Sequence, residues 1–202
     1  MHLMIVCGSQ QKDSMTAAVG GYLAERAGEA GFELIDIWDL GEEELPFWST
    51  SMFSDSAEDK QTWQLWNQKK QLIQKADAVV VATPEWSGMA TPAIKNFLLL
   101  CGEAELAHKP ALAVGVSAAR GGAYPISELR MSGYKNNKVL WVPEQLIFRD
   151  VGKNFEAEDS EEKTYMESRS RFALKTLATY AKVMEPVRKA GALIDSDFAN
   201  GM

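Results

Sequence analysis

Val79 to Phe97 reads VVVATPEWSGMATPAIKNF. Its first residues are apolar and β-branched, which suits a buried strand. Its last residues recur with a helical period and open on Thr91-Pro92. Thr91 suits the N-cap and Pro92 the first helical position, where a missing N–H costs nothing. Between them, Thr83-Pro84-Glu85-Trp86-Ser87-Gly88 must turn the chain. The unit is therefore strand, bend, helix. Outward from it the same alternation repeats. LMIVCG, FELIDIW, PALAVGVS and KVLWVPEQLIF read as four more strands. Helices are predicted from about 14 to 30, 58 to 75, 91 to 101, 124 to 133 and 159 to 185. Near-continuous apolar runs in the third and fourth strands fit parallel strands covered on both faces. Strands alternating with helices predict a doubly wound α/β sheet.

The helices carry local signals. Met15, Ala18, Val19, Tyr22 and Leu23 fall on one face of the first. In the last, Asp159 stands three residues before Glu162, as in a capping box. Its apolar stripe is Phe172, Ala173, Leu177, Tyr180, Ala181 and Met184, and Pro186 is expected to stop or kink it. Gly41 to Lys60 reads as a long loop. Residues 1–191 read as one domain and 192–202 as a C-terminal tail.

The 202 residues are 46% hydrophobic and 24% charged, with a net charge of −7. That size supports one well-formed core. The acidic balance argues against nucleic acid as a partner. No window reaches the roughly 18 unbroken apolar residues of a membrane span, and the start shows no signal peptide. A cytoplasmic protein is expected. Cys7 and Cys101 are the only cysteines and His2 and His108 the only histidines. Two buried thiols are expected rather than a disulfide, no metal site is assigned, and no catalytic acid, base or nucleophile is named.

In doubly wound sheets ligands bind beyond the carboxyl ends of the strands. Three loops fall there. In the first, CGSQQKDSMT, Gly8 allows a tight turn, and Ser9, Gln11, Ser14, Met15 and Thr16 lead into a helix N-terminus. Lys12 is its only cation. Such a terminus favours an anion; a hydroxyl-rich cap without a ligand explains the same residues. There is no G-x-G-x-x-G and no P-loop, so one phosphate fits better than two. In the second loop, Pro84 restricts the backbone and Gly88 permits a positive φ. The amides of Glu85, Trp86 and Ser87 are expected to face a planar heterocycle, the alternative being that Trp86 only caps the sheet edge. In the third, Ser117, Arg120 and the pair Gly121-Gly122 form another exposed turn, or a plain strand-to-helix connection. All three loops at one edge favour a shared ligand.

These residues resemble the NAD(P)H-dependent FMN reductases of flavodoxin-like fold, a group that includes quinone, azo-dye and chromate reductases. The similarity runs from Leu3 to about Phe148. The family's G-S-x-R-x-x-S-x-N loop corresponds to Gly8 through Thr16, with Gln11 in place of Arg and Thr16 in place of Asn. Its T-P-E-Y-N loop and following K-N pair correspond to Thr83-Pro84-Glu85-Trp86-Ser87 and Lys95-Asn96. Ser117 to Gly122 is similar to its S-x-x-x-G-G segment, leading to Leu129-Arg130, and Asp39 to Trp48 to its D-L-x-x-L-P segment.

The resemblance implies a three-layer sandwich with a five-stranded parallel sheet of order 2-1-3-4-5 and helices on both faces. It implies FMN and NAD(P)H as cofactors and hydride transfer through flavin to a quinone, flavin or other small aromatic acceptor. The first loop would take the phosphate and the other two the ring. It also implies a homo-oligomer, with Phe47 and Trp48 near a neighbouring subunit's flavin or simply packed. Two alternatives stand beside it: a flavodoxin-like electron carrier without NAD(P)H activity, and a flavin-free regulatory or interaction protein of the same fold.

Overall fold

The computed structural model describes residues 1–156, 160–191 and 197. Five parallel strands form one sheet in the order β2-β1-β3-β4-β5: β1 (His2–Cys7), β2 (Leu34–Asp39), β3 (Ala78–Pro84), β4 (Pro110–Val116) and β5 (Leu140–Phe148). Register places Cys7 beside Asp39 and Ala82, and Pro84 beside Val116, which in turn faces Phe148. The carboxyl ends of all five strands therefore share one rim.

Strand periodicity divides the core in two. Leu3, Ile5, Cys7, Ala78, Val80 and Ala82 face one side, where α1 (Met15–Ala27) and α8 (Glu161–Ala190) pack. Met4, Val6, Val79 and Val81 face the other, with Trp38, Trp66 and Phe97. Trp38 stacks on Trp66 at 6.3 Å and meets Phe97 edge-on at 6.0 Å. On this second side lie α3 (Gln64–Lys75) and α4 (Pro92–Leu100), while α6 (Ala123–Met131) follows the third loop. The short helices α2 (Ala57–Thr62), α5 (Glu103–Leu106) and α7 (Val151–Glu156) complete the order. β5 is an edge strand, and Arg130 Nη2 donates to its Val142 and Glu144 carbonyls at 2.9 and 2.8 Å. That occupies acceptors an open edge would offer to another chain.

Several local expectations change. The helix expected from 58 to 75 is two helices, broken at buried Trp63, whose indole N–H donates to Ser51 Oγ at 2.9 Å. The long loop itself contains a 3-10 turn at Thr50–Phe53. On α1 the buried residues are Thr16, Val19, Gly20, Leu23 and Ala27, and Ala18 is exposed. On α8, Phe172 is exposed beneath the Arg169 guanidinium, whereas Ser170, Leu174 and Ala178 are buried. Pro186 neither stops α8 nor ends its packing. A proline removes one helical bond, to the residue-182 carbonyl, and Lys182 is exposed. The last turn is held by Arg188 on Asp77 at 2.9 Å and Lys189 on Glu185 at 2.6 Å. The helix ends at Gly191, at φ 62°. The N-cap of α8 is Ser160, accepting from the Lys163 amide at 3.0 Å. The expected capping residue Asp159 lies outside the described residues, as does the 192–202 tail apart from Asp197. Among the described residues no helix is long and apolar enough to cross a membrane.

Candidate functional site

The three loops meet on the shared rim, tied to one another by hydrogen bonds. Gly8 N donates to Ala82 O at 2.7 Å, and Thr91 Oγ1 donates to the Gly8 carbonyl. The loop after β1 is thus fixed to β3 and to the start of α4. Glu85 N donates to Val116 O at 2.9 Å, joining the second loop to β4. Ser117 N donates to Phe148 O at 2.8 Å, joining the third to β5.

In the first loop, Ser14 caps α1, its hydroxyl accepting from Ala17 N at 3.1 Å. Buried Ser9 accepts from Gln11 N at 3.1 Å. Each hydroxyl that accepts in this way still has its own proton to donate. Met15 and Thr16 are the first two helical residues, so their amides have no intrahelical acceptor. The Met15 side chain packs on the core and Thr16 is buried, so both offer backbone rather than side chain to the rim. Gln11 and Lys12 are exposed, and Lys12 sits 3.9 Å from Glu42, with 73% of its side chain accessible. A pair so exposed contributes little fixed charge.

The second loop differs from expectation. Trp86 and Met89 exchange both backbone bonds, at 3.1 and 2.9 Å, around Ser87 at φ 51° and Gly88 at φ 74°. Two central residues at positive φ define a tight hairpin turn of type I′. The amides of Glu85 and Trp86 are therefore used within the protein, the first by the ladder edge and the second by the turn. Ser87 and Gly88 remain, with no acceptor among the described residues. Pro84 is buried in the strand end, Trp86 is half-buried, and Tyr124 and Met89 are exposed.

The third loop is pinned more tightly than its glycines suggested. Ser117 Oγ accepts from Ala119 N at 3.2 Å, and Asp150 N donates to Ala119 O at 2.8 Å. Gly122 N donates to Glu85 Oε2 at 2.5 Å, and Arg149 Nε donates to the Gly121 carbonyl at 3.0 Å. Gly122 stands at φ 101°, and a Cβ there would lie 2.4 Å from Ile147 Cγ2. It is an architectural glycine, not an open approach. Among the described residues, the amides of Ala118, Arg120 and Gly121 donate to no protein group. The Arg120 side chain is not gathered with the other loops; it lines a concavity with Asp150, Asn154 and Glu162 beside β5 and α7.

Several residues that shape the rim were not singled out from sequence as site residues. Gly41 lies where a Cβ would be 2.4 Å from the Gln11 carbonyl oxygen, so the loop after β2 seats directly on the first loop. Asn96, noted only as half of the K-N pair, is 5% exposed and clamps the long loop, accepting from Trp48 N at 2.8 Å and donating to Pro46 O at 3.0 Å. Glu128 accepts from Ala90 N at 2.7 Å and from Lys95 Nζ at 2.6 Å. Desolvation pushes its carboxyl up, but the Lys95 ammonium and the Ala90 amide outweigh that and hold it below the usual carboxylate value. Gly41 was legible as a glycine right after a strand; Glu128 had no local signal. Gln10, Leu40, Leu45, Phe47, Ala93 and Asn96 border a small cleft between the first loop and α4.

Both cysteines are free and buried. Burial, then the Asp39 charge, pushes the Cys7 thiol up to about 12, so it is protonated at neutral pH and no nucleophile.

The rim thus offers an anion the start of α1 and offers a flat polar group the free amides of two further bends. That donor set fits a ring bearing one phosphate. Residues 1–152 match the family model of NADPH-dependent FMN reductases. An NADPH azoreductase from Bacillus sp. (strain OY1-2) is 29% identical over 133 residues, 65% of this chain and 68% of that protein. An oxidoreductase structure from Corynebacterium diphtheriae superposes with a TM-score of 0.70 at 16% identity, covering 90% of this chain and 97% of that one. A flavoenzyme NAD(P)H:(acceptor) oxidoreductase from Paracoccus denitrificans gives 0.66 at 18% identity, over 91% and 98%. These two structures bear on the fold, which they share. With the family model spanning three quarters of its length, this chain belongs to the NADPH-dependent FMN reductase family.

Proposed function

We propose that this FMN-dependent NAD(P)H oxidoreductase holds FMN on main-chain donors of the three rim loops and reduces a small aromatic acceptor, a quinone, an azo compound or free flavin. The observation that carries the reading is the convergence on one rim of amides with no acceptor among the described residues: Met15 and Thr16, Ser87 and Gly88, and Ala118, Arg120 and Gly121. The phosphate lies at the start of α1, where the helix dipole and the Ser9 and Ser14 hydroxyls favour an anion. Gln11 and Lys12 add polar reach without a fixed bidentate cation. The second and third loops would hold the ring, with Trp86 and Tyr124 limiting solvent.

Bound FMN supplies the hydride chemistry between a reduced nicotinamide and the acceptor. This chain's part is to bind, orient and exclude water. The amides of the third loop would favour negative charge on the part of the ring they meet. Phe47, Leu45 and Ala93 give the neighbouring cleft an apolar wall, beside the Glu44 carboxylate, that suits an aromatic acceptor. The exposed Phe47, at 73%, and Trp48, at 45%, also suit a second copy of the chain, so a homo-oligomer is part of the proposal.

Stopped-flow mixing of the FMN-loaded protein with NADPH under anaerobic conditions tests this reading. Rapid bleaching, followed by reoxidation on adding a quinone or azo dye, is the expected result. Flavin that stays oxidised would point to an electron carrier instead.

A further inference from the structure

We propose that the Glu85 side chain is a positioning residue: from the end of β3 it holds the Gly121-Gly122 bend in place, and Gly121 lacks a side chain to make room for that carboxylate rather than for a ligand. The proposal rests on the FMN site described above. Glu85 is anchored at its backbone, through its amide on Val116 O at 2.9 Å. Its Oε2 accepts from Gly122 N. A Cβ on Gly121 would lie 2.7 Å from Oε1, 2.9 Å from Cδ and 3.1 Å from Oε2, so the whole carboxylate lies against that glycine.

Arg149 Nε also donates to the Gly121 carbonyl, at 3.0 Å. The glycine pair is therefore held by a carboxylate that follows β3 and a guanidinium that follows β5. Hydrogen bonds to ionised groups are stronger than neutral ones. The grip matters because Ala118, Arg120 and Gly121 present their free amides from this bend. Their direction is set by how its far end is fastened. Glu85 has no need to touch the ring to control those donors.

A second explanation of Gly121 is that a ligand approaches its backbone. The two separate in a double-mutant cycle on the full chain, using Glu85→Ala, Glu85→Gln, Gly121→Ala and Glu85→Ala/Gly121→Ala. FMN affinity is read by fluorescence quenching, and Gly122 amide exchange is read in FMN-free protein. Glu85→Ala is expected to weaken FMN about thirtyfold and to speed Gly122 exchange by a similar factor. Glu85→Gln keeps an acceptor oxygen at the same reach and recovers most of both. Gly121→Ala weakens FMN in the parent chain but adds less than about twofold in the Glu85→Ala background. Unchanged Gly122 exchange in Glu85→Ala would overturn the proposal. So would a full Gly121→Ala penalty in the Glu85→Ala background, which would mean that the ligand itself meets Gly121. If the parent chain takes up no FMN, the site reading fails, and the exchange measurement still decides the clamp.

Discussion

The first loop and the pair formed by the second and third loops share a rim but are built in opposite ways. The first leaves its polar groups outward: Gln11 and Lys12 are exposed, and the leading amides of α1 are open. The second and third turn many of theirs on one another and on the strand ends, through Glu85 to Gly122, Trp86 to Met89 and Ser117 to Phe148. On the placement proposed above, a soft, weakly charged phosphate end would sit beside a stiff ring end. The contrast teaches that, with FMN placed as proposed, recognition of the ring would depend on a backbone already in place, whereas recognition of the tail would depend on charge that a few substitutions would change.

The largest expected effect comes from the stiff side. A Cβ on Gly115 would lie 2.3 Å from the Gly122 carbonyl oxygen, which cannot retreat without moving the bend. Gly115→Ala should lose about 3 kcal/mol of stability, read from the urea midpoint, together with FMN binding. An unchanged midpoint would mean that the third loop is not stiff. Next comes the joint between the two ends. Thr91 caps α4 by accepting from Ile94 N at 3.3 Å and donates to the Gly8 carbonyl. Thr91→Val should cost about 2 kcal/mol by the same assay.

The soft side should respond to charge without losing stability. Gln11→Arg is expected to tighten FMN about tenfold at low salt, leaving riboflavin affinity unchanged, with the gain fading as salt rises. Lys12→Ala should weaken FMN about twofold to threefold, again without effect on riboflavin. Equal effects on the two flavins would place the phosphate elsewhere. The smallest effect concerns Ser87, a non-glycine residue at φ 51°. Ser87→Gly relieves that strain and should stabilise the chain by about 0.5 kcal/mol, visible as a small rise in Tm.

Much of this molecule is legible along the chain because its signals are local. VVVAT and PALAVGV are apolar enough to announce buried strands, and Thr91-Pro92 announces the helix that follows. The positions of the three loops follow from strand order, and the G-S and T-P-E motifs mark them. What sequence does not carry is who answers each polar group. The Glu85 amide and carboxylate find partners 31 and 37 residues away, at Val116 and Gly122. The reading that turned the Glu85 and Trp86 amides toward a ligand missed those partners. Gly121 and Gly122 look alike in sequence, yet one leaves room for a carboxylate and the other adopts a left-handed φ against Ile147. Arg120 groups in sequence with the third exposed turn, and its side chain instead lines the concavity with Asp150, Asn154 and Glu162. Pro186 reads as a stop or a kink, yet α8 does not stop there, and Arg188 beyond it is anchored on Asp77.

Backbone amide NMR of isotope-labelled, FMN-free protein, titrated with FMN, tests the central claim most directly. The account predicts that the largest shifts fall on Met15, Thr16, Ser87, Gly88, Ala118, Arg120 and Gly121, and that riboflavin reproduces all of them except those at Met15 and Thr16. Shifts confined to other surfaces, such as the concavity between Tyr22 and Phe155, with these seven amides unmoved, would contradict it.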